Sequence, residues 1–186
     1  MKKLIFGFLR YIPSLRFEFI RGYYYKIFKI NVGRRLRLSV GSILDVWNSK
    51  IPFSMGNDVY IGENSYISGG VTIGDNTSIN SNVCITASPP NRIHIGNDCL
   101  IAQNVVIRAN DHRFSESNLL IREQGKVGQD IFIGNDCWIA ANVVILKGVH
   151  IGSHSVVGAG AIVTKSFPEW SVIVGNPAKL IKKRIK

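Results

Sequence analysis

The stretch IGNDCWIAANVVILKGVHIGSHSVVGAGAIV, residues 133–163, decides the fold because an Ile or Val returns in it at every sixth position. The same phase is present in two earlier runs, from Ile61 to Ile85 and from Ile95 to Ile107. Neither the 3.6-residue turn of a helix nor the two-residue alternation of a strand generates this period. A fixed short period is typical of a solenoid, in which each repeat covers its neighbour.

The position four residues after each aliphatic residue also carries a small or branched side chain, as at Cys99, Cys137 and Val143. We predict that both positions point inward, and that the Gly residues following many of the aliphatic positions mark turns. Six residues then form one face, three faces close one coil, and coils stack at about the 4.8 Å spacing of paired strands. The predicted fold class is an all-β solenoid.

The units Ile-Gly-Asn-Asp-Cys-Leu (95–100) and Ile-Gly-Asn-Asp-Cys-Trp (133–138) resemble those of the hexapeptide-repeat acyltransferases, and the resemblance covers roughly residues 40–178. It implies a left-handed parallel β-helix. The hand comes from the resemblance alone, because the general preference for right-handed crossovers would predict the opposite. We expect a basic amino-terminal helical arm or cap at 1–37, the β-helix at 38–178 and a basic carboxy-terminal extension at 179–186.

The formal net charge of +11 is concentrated at the two ends of the chain, whereas the middle is nearly balanced. This distribution argues against a nucleic-acid partner. No run approaches the 18 or so apolar residues of a membrane-spanning helix, and no secretory cleavage site follows the first residues. Because Cys84, Cys99 and Cys137 show neither disulfide nor zinc-site spacing, we expect a cytoplasmic location and no metal.

The amino-terminal residues 1–30 interleave Lys and Arg with aromatic and aliphatic side chains. Two interpretations stay open, and both can hold together. The segment can cap the apolar end of the first coil, or it can make peripheral contact with the anionic inner face of the cytoplasmic membrane.

Three interruptions of the period point to sites, because a solenoid accepts insertions as loops at its turns. Residues 89–92 are expected to bulge at a corner, and residues 167–170 end the regular stack. The largest interruption, 108–130, contains His112 and has no period of its own. A loop of this length is more often functional than decorative.

The loop and the ending resemble those of the sugar O-acetyltransferase branch, which includes galactoside, maltose, capsule, O-antigen and colanic acid acetyltransferases. Asp111-His112-Arg113 matches the catalytic histidine segment, residues 121–125 look like the loop of polysaccharide acetyltransferases, and Gly175-Asn176-Pro177-Ala178 matches the terminal turn. The resemblance implies transfer of acetyl from acetyl-CoA to a sugar hydroxyl. The arm lacks the galactoside and maltose pattern, which favours a cell-surface polysaccharide or a lipid-linked oligosaccharide as the acceptor.

Acetyl transfer to a hydroxyl requires a base, and a neutral imidazole suits that task near neutral pH. We assign the role of general base to His112. The other histidines, His94, His150 and His154, are expected at solvent-facing repeat positions.

Further roles come from the resemblance. The N–H of Ala141 would stabilise the oxyanion, and Asn82, Asp111 and Trp138 would meet the acceptor. Asn82 can instead be a polar turn residue, and Trp138 can instead pack against the loop. The residues expected to contact CoA are Ala141, Ala159, Thr164, Lys165, Lys179 and Lys182. Galactoside acetyltransferases tend to have Arg at the last two positions, where ordinary solvated lysines are the alternative.

The resemblance also implies a homotrimer with each active site between two subunits. Three other functions stay open. An amino sugar or xenobiotic could be the acceptor of an N-acetyltransferase, a zinc-dependent carbonic anhydrase would need three converging histidines, and a non-catalytic scaffold would not bind CoA.

Overall fold

The computed structural model describes residues 17–27, 30–45 and 52–184. One helix, α1 (Phe17–Ile27), precedes a solenoid of short strands, and a 3₁₀ turn spans Ile121–Glu123. The strands are β1 (Asn31–Val32), β2 (Arg37–Leu38), β3 (Ile43–Asp45), β4 (Ser54–Met55), β5 (Tyr60–Ile61), β6 (Tyr66–Ile73), β7 (Ser78–Ile79), β8 (Cys84–Ile95), β9 (Leu100–Ile101), β10 (Val106–Arg108), β11 (Asn110–His112), β12 (Lys126–Gly128), β13 (Ile131–Ile133), β14 (Trp138–Ile139), β15 (Val144–Ile145), β16 (His150–Ile151), β17 (Val156–Val157), β18 (Ile162–Val163), β19 (Ser171–Val174) and β20 (Lys179–Lys183).

Parallel pairing arranges these strands on three faces. The first face is β3-β6-β8-β10-β15-β18, the second is β1-β4-β6-β8-β13-β16, and the third is β2-β5-β7-β9-β14-β17-β19. Strands β6 and β8 belong to two faces because each continues around a corner. The predicted parallel solenoid is confirmed, and the hand of its coil stays a prediction from the resemblance.

Matching aliphatic residues stack in register from coil to coil. On the first face Ile67 pairs with Ile85, Ile85 with Ile107, and Ile107 with Ile145. Every predicted aliphatic position of the repeat is buried, and so are the second positions, from Val71 to Ala161. The inward orientation of both sets is therefore confirmed. The core is a column of stacked side chains along the solenoid axis.

The turns differ in detail from the prediction. The residue in the left-handed region is not the Gly after the aliphatic residue but an Asn or Asp two positions later, as at Asn142 (φ 60°) and Asp136 (φ 50°). Short polar side chains tolerate this conformation. Gly134 is required for another reason, because a Cβ there would lie 2.5 Å from the backbone nitrogen of Ser153 in the next coil.

Two corners of the solenoid matter for the site. We call the corner between the first and second faces the loop edge; it holds residues 109–130, 146–148 and 164–166. We call the corner between the third and first faces the turn edge, where residues 81–82, 103–104, 141–142 and 159–160 stack through backbone hydrogen bonds. The bulge expected at 89–92 is also at the loop edge, since the pairing shifts there from Ala87 to Arg92.

Helix α1 lies over the open end of the first coil. Arg21 Nε donates to the Leu38 carbonyl (2.5 Å), and Ser39 Oγ donates to the buried Glu18 carboxylate (2.5 Å). Tyr25 is fully buried and its hydroxyl meets the backbone of Leu44. The first coil begins at Asn31, inside the segment 1–37 that was predicted as arm, because Val32 and Leu38 already occupy inward positions.

The carboxy-terminal residues predicted as a basic tail form an ordered strand. β20 runs antiparallel to β19, with a bulge that leaves Ile181 unpaired. The helix of the described residues is too short and too polar to cross a membrane.

Candidate active site

A projecting hairpin forms the main feature of the loop edge. Strands β11 and β12 pair antiparallel, with His112 opposite Lys126, and side chains between residues 113 and 127 are mostly exposed. Asn110 anchors the base, since it is buried and its Oδ1 accepts a hydrogen bond from the Ser88 N–H (2.6 Å). Farther out, the Gln124 amide closes the loop through hydrogen bonds to the backbone of Glu116 and Leu119. The long insertion is thus a structured element on a fixed base.

His112 lies at the start of this hairpin, and its side chain is exposed. It lines a groove of about 300 Å³ together with Arg113, Phe114, Ser115 and Val127. The imidazole makes no hydrogen bond to the part of the chain that the structure describes, and Phe114 is 78% exposed beside it. The ring is therefore open to a ligand, and the groove lacks one wall.

Asp111, the neighbour of His112, is held by a residue that the sequence analysis missed. Lys147 Nζ forms a short ion pair with Asp111 Oδ2. Lys147 comes from the next coil of the same loop edge, so it ties the hairpin to the solenoid. The sequence shows that Lys147 is a charged residue at a turn. It does not show that Asp111 is its partner, because that pairing depends on the path of residues 109–130.

The predicted site residues fall on opposite edges of the first face. Asp111, His112, Thr164 and Lys165 belong to the loop edge, whereas Asn82, Ala141 and Ala159 belong to the turn edge. In each coil the two edges lie at opposite ends of a strand of the first face, such as residues 105–108. This strand spans roughly 15 Å at the rise per residue of an extended chain. One protomer therefore does not bring the two groups together.

At the turn edge, the backbone N–H of Ala141 is available to a ligand. Its carbonyl accepts a hydrogen bond from the Gly160 N–H (2.9 Å), while its own N–H has no acceptor among the described residues. Asn82 has a φ of 59°, as expected for a turn residue, and its side chain makes no hydrogen bond to described residues. Asn82 thus combines the turn role with an amide that is free to bind a ligand.

Trp138 lies on the third face and is 51% exposed. It pairs with Leu100 and Val156 of the adjacent coils and lines a groove of about 300 Å³ that also includes Tyr60 and Asn80. The loop leaves the solenoid at a different corner, so the expectation that Trp138 packs against the loop of its own chain is wrong. Its exposed indole faces the outside of the third face.

The two lysines of β20 share one side of the strand. Lys182 is opposite Val172 and Lys179 opposite Val174, both of which point outward from the third face. Residues three positions apart in a regular strand point to opposite sides. The bulge takes Ile181 out of the pairing, so Lys179 and Lys182 point to the same side of β20. The two ammonium groups are thus directed to the outer side of the third face, at its last strand.

A cluster of four side chains fixes the end of β20. Arg184 Nη1 donates to Asp136 Oδ2 (2.9 Å), His154 Nδ1 lies 3.0 Å from the same oxygen, and the His154 ring stacks on Trp170 at 4.1 Å. Hydrogen bonds from His154 and Arg184 lower the pKa of the Asp136 carboxyl. His154 thus has a structural role in this cluster. The other two histidines outside the hairpin, His94 and His150, flank Phe132 on the outer side of the second face.

One of the two outward rows of the first face is mostly apolar. It consists of Ile43, Tyr66, Cys84, Val106, Val144 and Ile162. The other outward row of the first face is polar and contains Asp45, Ser68, Thr86 and Arg108. The matching rows of the other two faces mix polar residues such as Ser54 and Arg37 with apolar ones such as Phe132 and Trp138. A continuous apolar row roughly 24 Å long is typical of a surface that contacts another chain.

In the described part of the chain no three His, Cys, Asp or Glu side chains lie together as ligands for a metal ion.

A family model described as bacterial transferase hexapeptide (six repeats) matches residues 54–87 and 130–165. A galactoside O-acetyltransferase of Lactococcus lactis is 33% identical over 133 residues, which is 67% of this chain and 62% of the relative. The chain thus spans about three fifths of that relative's length. An acetyltransferase candidate of Saccharomyces cerevisiae is 32% identical over 151 residues, which is 80% of this chain and 68% of the relative.

Solved structures show the same similarity. A polySia-specific acetyltransferase is 30% identical, with a TM-score of 0.59 over 83% of this chain and 82% of that one. A galactoside acetyltransferase in complex with coenzyme A is 26% identical, with a TM-score of 0.54 over 98% of this chain and 78% of that one.

Proposed function

The chain belongs to the family of hexapeptide-repeat acetyltransferases, and from that premise we propose that it transfers acetyl from acetyl-CoA to a hydroxyl of a sugar. The observation that carries the proposal is the exposed His112 at the fixed base of the hairpin, with no competing hydrogen bond from the described residues. The relatives named galactoside O-acetyltransferase, one of them solved with coenzyme A, support both substrates.

We propose that the working molecule is a homotrimer in which the first face surrounds the threefold axis. Burial of the apolar outer row would stabilise this arrangement. Three prisms closed in this way place the loop edge of one protomer beside the turn edge of the next. His112, Thr164 and Lys165 of one subunit would then lie near Asn82, Ala141 and Ala159 of its neighbour, which supplies the wall that the groove lacks.

In this arrangement His112 accepts the proton of the acceptor hydroxyl while the hydroxyl oxygen attacks the thioester carbonyl. The Ala141 N–H donates to the oxyanion of the tetrahedral intermediate. Collapse of the intermediate breaks the carbon–sulfur bond, and the imidazolium returns its proton to the departing thiolate. The products are the sugar acetyl ester and free CoA.

The remaining residues would hold the two substrates. Asn82 and Trp138 present an amide and an indole that suit the hydroxyls and the apolar face of a sugar ring. Asp111 is fixed by Lys147 beside the base and can accept a hydrogen bond from the acceptor. Lys179 and Lys182 would meet the phosphates of CoA, and Ala159, Thr164 and Lys165 its pantetheine arm.

We further propose a cell-surface polysaccharide, or its lipid-linked precursor, as the acceptor, and a cytoplasmic location for the reaction. The similarity to a polySia-specific acetyltransferase supports a polymeric acceptor. The groove on the third face, lined by Trp138 and Tyr60, is open to solvent and would be accessible to such an acceptor.

An acceptor panel tests the proposal. The purified full chain is incubated with acetyl-CoA and, in turn, a galactoside, maltose, an amino sugar and an acidic oligosaccharide, and release of the CoA thiol is measured. We expect acceptor-dependent release and a product whose acetyl group is removed by mild alkali, as an ester is. An alkali-stable product would instead indicate acetylation of an amine. No release with any sugar, together with no CoA binding in calorimetry, would refute the proposal.

A further inference from the structure

Helix α1 has an apolar side that the solenoid does not cover. Phe19, Ile20, Tyr23 and Ile27 lie on the side opposite the buried residues and are 50%, 47%, 63% and 57% exposed. Ile20, Tyr23 and Ile27 follow Phe19 by one, four and eight residues, and this spacing places the four side chains along a single stripe of the helix. Four large apolar side chains thus face outward at the first-coil end of the molecule.

A groove of about 400 Å³ adjoins this stripe. It is lined by Phe19, Ile20 and Tyr23 of the helix and by the turn 33–36 of the first coil. Two cations, Lys26 and Arg34, border it, and no acidic side chain is among its described lining residues. A third cation, Arg35, is paired with Asp58. The surroundings of the stripe are therefore positively charged.

The amino-terminal part of the sequence is also positively charged. Residues 1–30 contain seven Lys and Arg residues and one acidic residue, Glu18. Glu18 is buried, accepts a hydrogen bond from Ser39 and interacts electrostatically with Arg21, which is also buried, so neither of these two charges contributes to the surface. An apolar stripe with a basic border is complementary to a partner that is apolar inside and anionic at its surface.

We propose that this end of the molecule binds an anionic lipid bilayer, with the stripe of α1 inserted among the acyl chains and Lys26 and Arg34 at the headgroup phosphates. A bilayer presents anionic headgroups at its surface and apolar acyl chains beneath them, which matches the basic border and the apolar stripe. The surface is separate from the acetyl-transfer site, so its binding does not depend on the proposed reaction. It would hold the enzyme at the membrane surface.

Vesicle sedimentation with the full chain tests this proposal. We expect binding to phosphatidylcholine vesicles that contain phosphatidylserine, about tenfold weaker binding without the anionic lipid, and weaker binding at high salt. Tyr23→Ser combined with Ile27→Ser should weaken binding by roughly tenfold or more, because two apolar anchors are lost. Lys26→Ala combined with Arg34→Ala should weaken it by about fivefold for each cation.

The matched control is Ile181→Ser, which removes a side chain of similar exposure (60%) from β20 at the other end of the solenoid. This variant should bind like the wild type. Phe19→Ser with Ile20→Ser is a second pair on the stripe if the first pair fails to fold, as judged by circular dichroism. Absence of vesicle binding, as expected if the stripe meets a protein, would overturn the proposal. So would a folded stripe variant that binds like the wild type, as expected if residues 1–16 cover the stripe.

Discussion

His112 is exposed at the base of the hairpin, and among the described residues its imidazole has no hydrogen-bond partner. A catalytic imidazole is commonly oriented by a second group, and no residue in the described part of this chain supplies one. Asn110 and the Asp111–Lys147 pair fix the two residues that precede His112 without engaging the ring. The side chain is free while its backbone is held.

Replacement of His112 tests the base directly. His112→Ala should lower kcat by a factor of about 10² to 10⁴, because proton removal in the transition state is lost. Since the side chain is exposed, the unfolding midpoint should change little. His150→Ala is the matched control, as it removes an imidazole from the outer side of the second face. A His112 variant with wild-type turnover would rule out this residue as the base.

At the scale of elements, two additions to the solenoid carry residues of the proposed site: the β11–β12 hairpin and the returning strand β20. The hairpin carries His112, and β20 carries Lys179 and Lys182. β20 is fixed at its end by the cluster of Asp136, His154, Trp170 and Arg184, which comes from successive coils of one corner. The position of the two lysines therefore depends in part on a surface ion pair, in addition to the pairing of β20 with β19.

This dependence gives β20 a predicted response to pH. The pKa of Asp136 is lowered by its hydrogen bonds to His154 and Arg184, so its stabilising contribution is present above the unfolded-state value of about 4. The contribution is lost as the pH falls through the lower pKa of the folded state. Hydrogen exchange of a peptide covering 179–184 should show protection that decreases in that acidic range.

Asp136→Asn should remove this pH dependence and lower the protection already at pH 7. Asp98→Asn is the matched control, because Asp98 occupies the equivalent turn one coil earlier, with a similar φ of 58°, but contacts Asn76 instead of Arg184. If the Asp136 variant keeps full protection of β20, the cluster does not hold the strand.

For the whole molecule, the apolar outer row of the first face and the division of the site between two edges have one common explanation. Both follow if three chains pack with their first faces inward. A carboxylate introduced into that row would be buried without a partner near the axis, which is strongly unfavourable.

Val144→Glu should therefore convert a trimer to monomers and abolish acetyl transfer while the coil stays folded. Light scattering after gel filtration reports the mass, and circular dichroism reports the β content. Thr72→Glu, at the outer row of the second face, should leave both trimer and activity intact. A Val144 variant that remains trimeric would place the interface elsewhere, and an active monomer would contradict the intersubunit site.

The solenoid could be predicted from the amino-acid sequence alone, because the six-residue period fixes which side chains point inward, and burial at every one of those positions confirms it. The sequence also located the insertion that contains His112, since any insertion must leave a solenoid at a turn. The family resemblance supplied the roles of Ala141, Ala159 and the lysines, which periodicity alone does not contain.

The tertiary structure decided which residues share a face. A hexapeptide position repeats on all three faces, so residues such as Val106, Trp138 and Phe132 look equivalent in sequence until the coil is counted through two insertions. If only every third repeat is compared, the residues that precede the aliphatic positions fall on one face. This comparison would have identified the apolar row from the sequence. The partners of Asp111 and Asp136 could not be read in this way, because Lys147 and Arg184 reach them across coils.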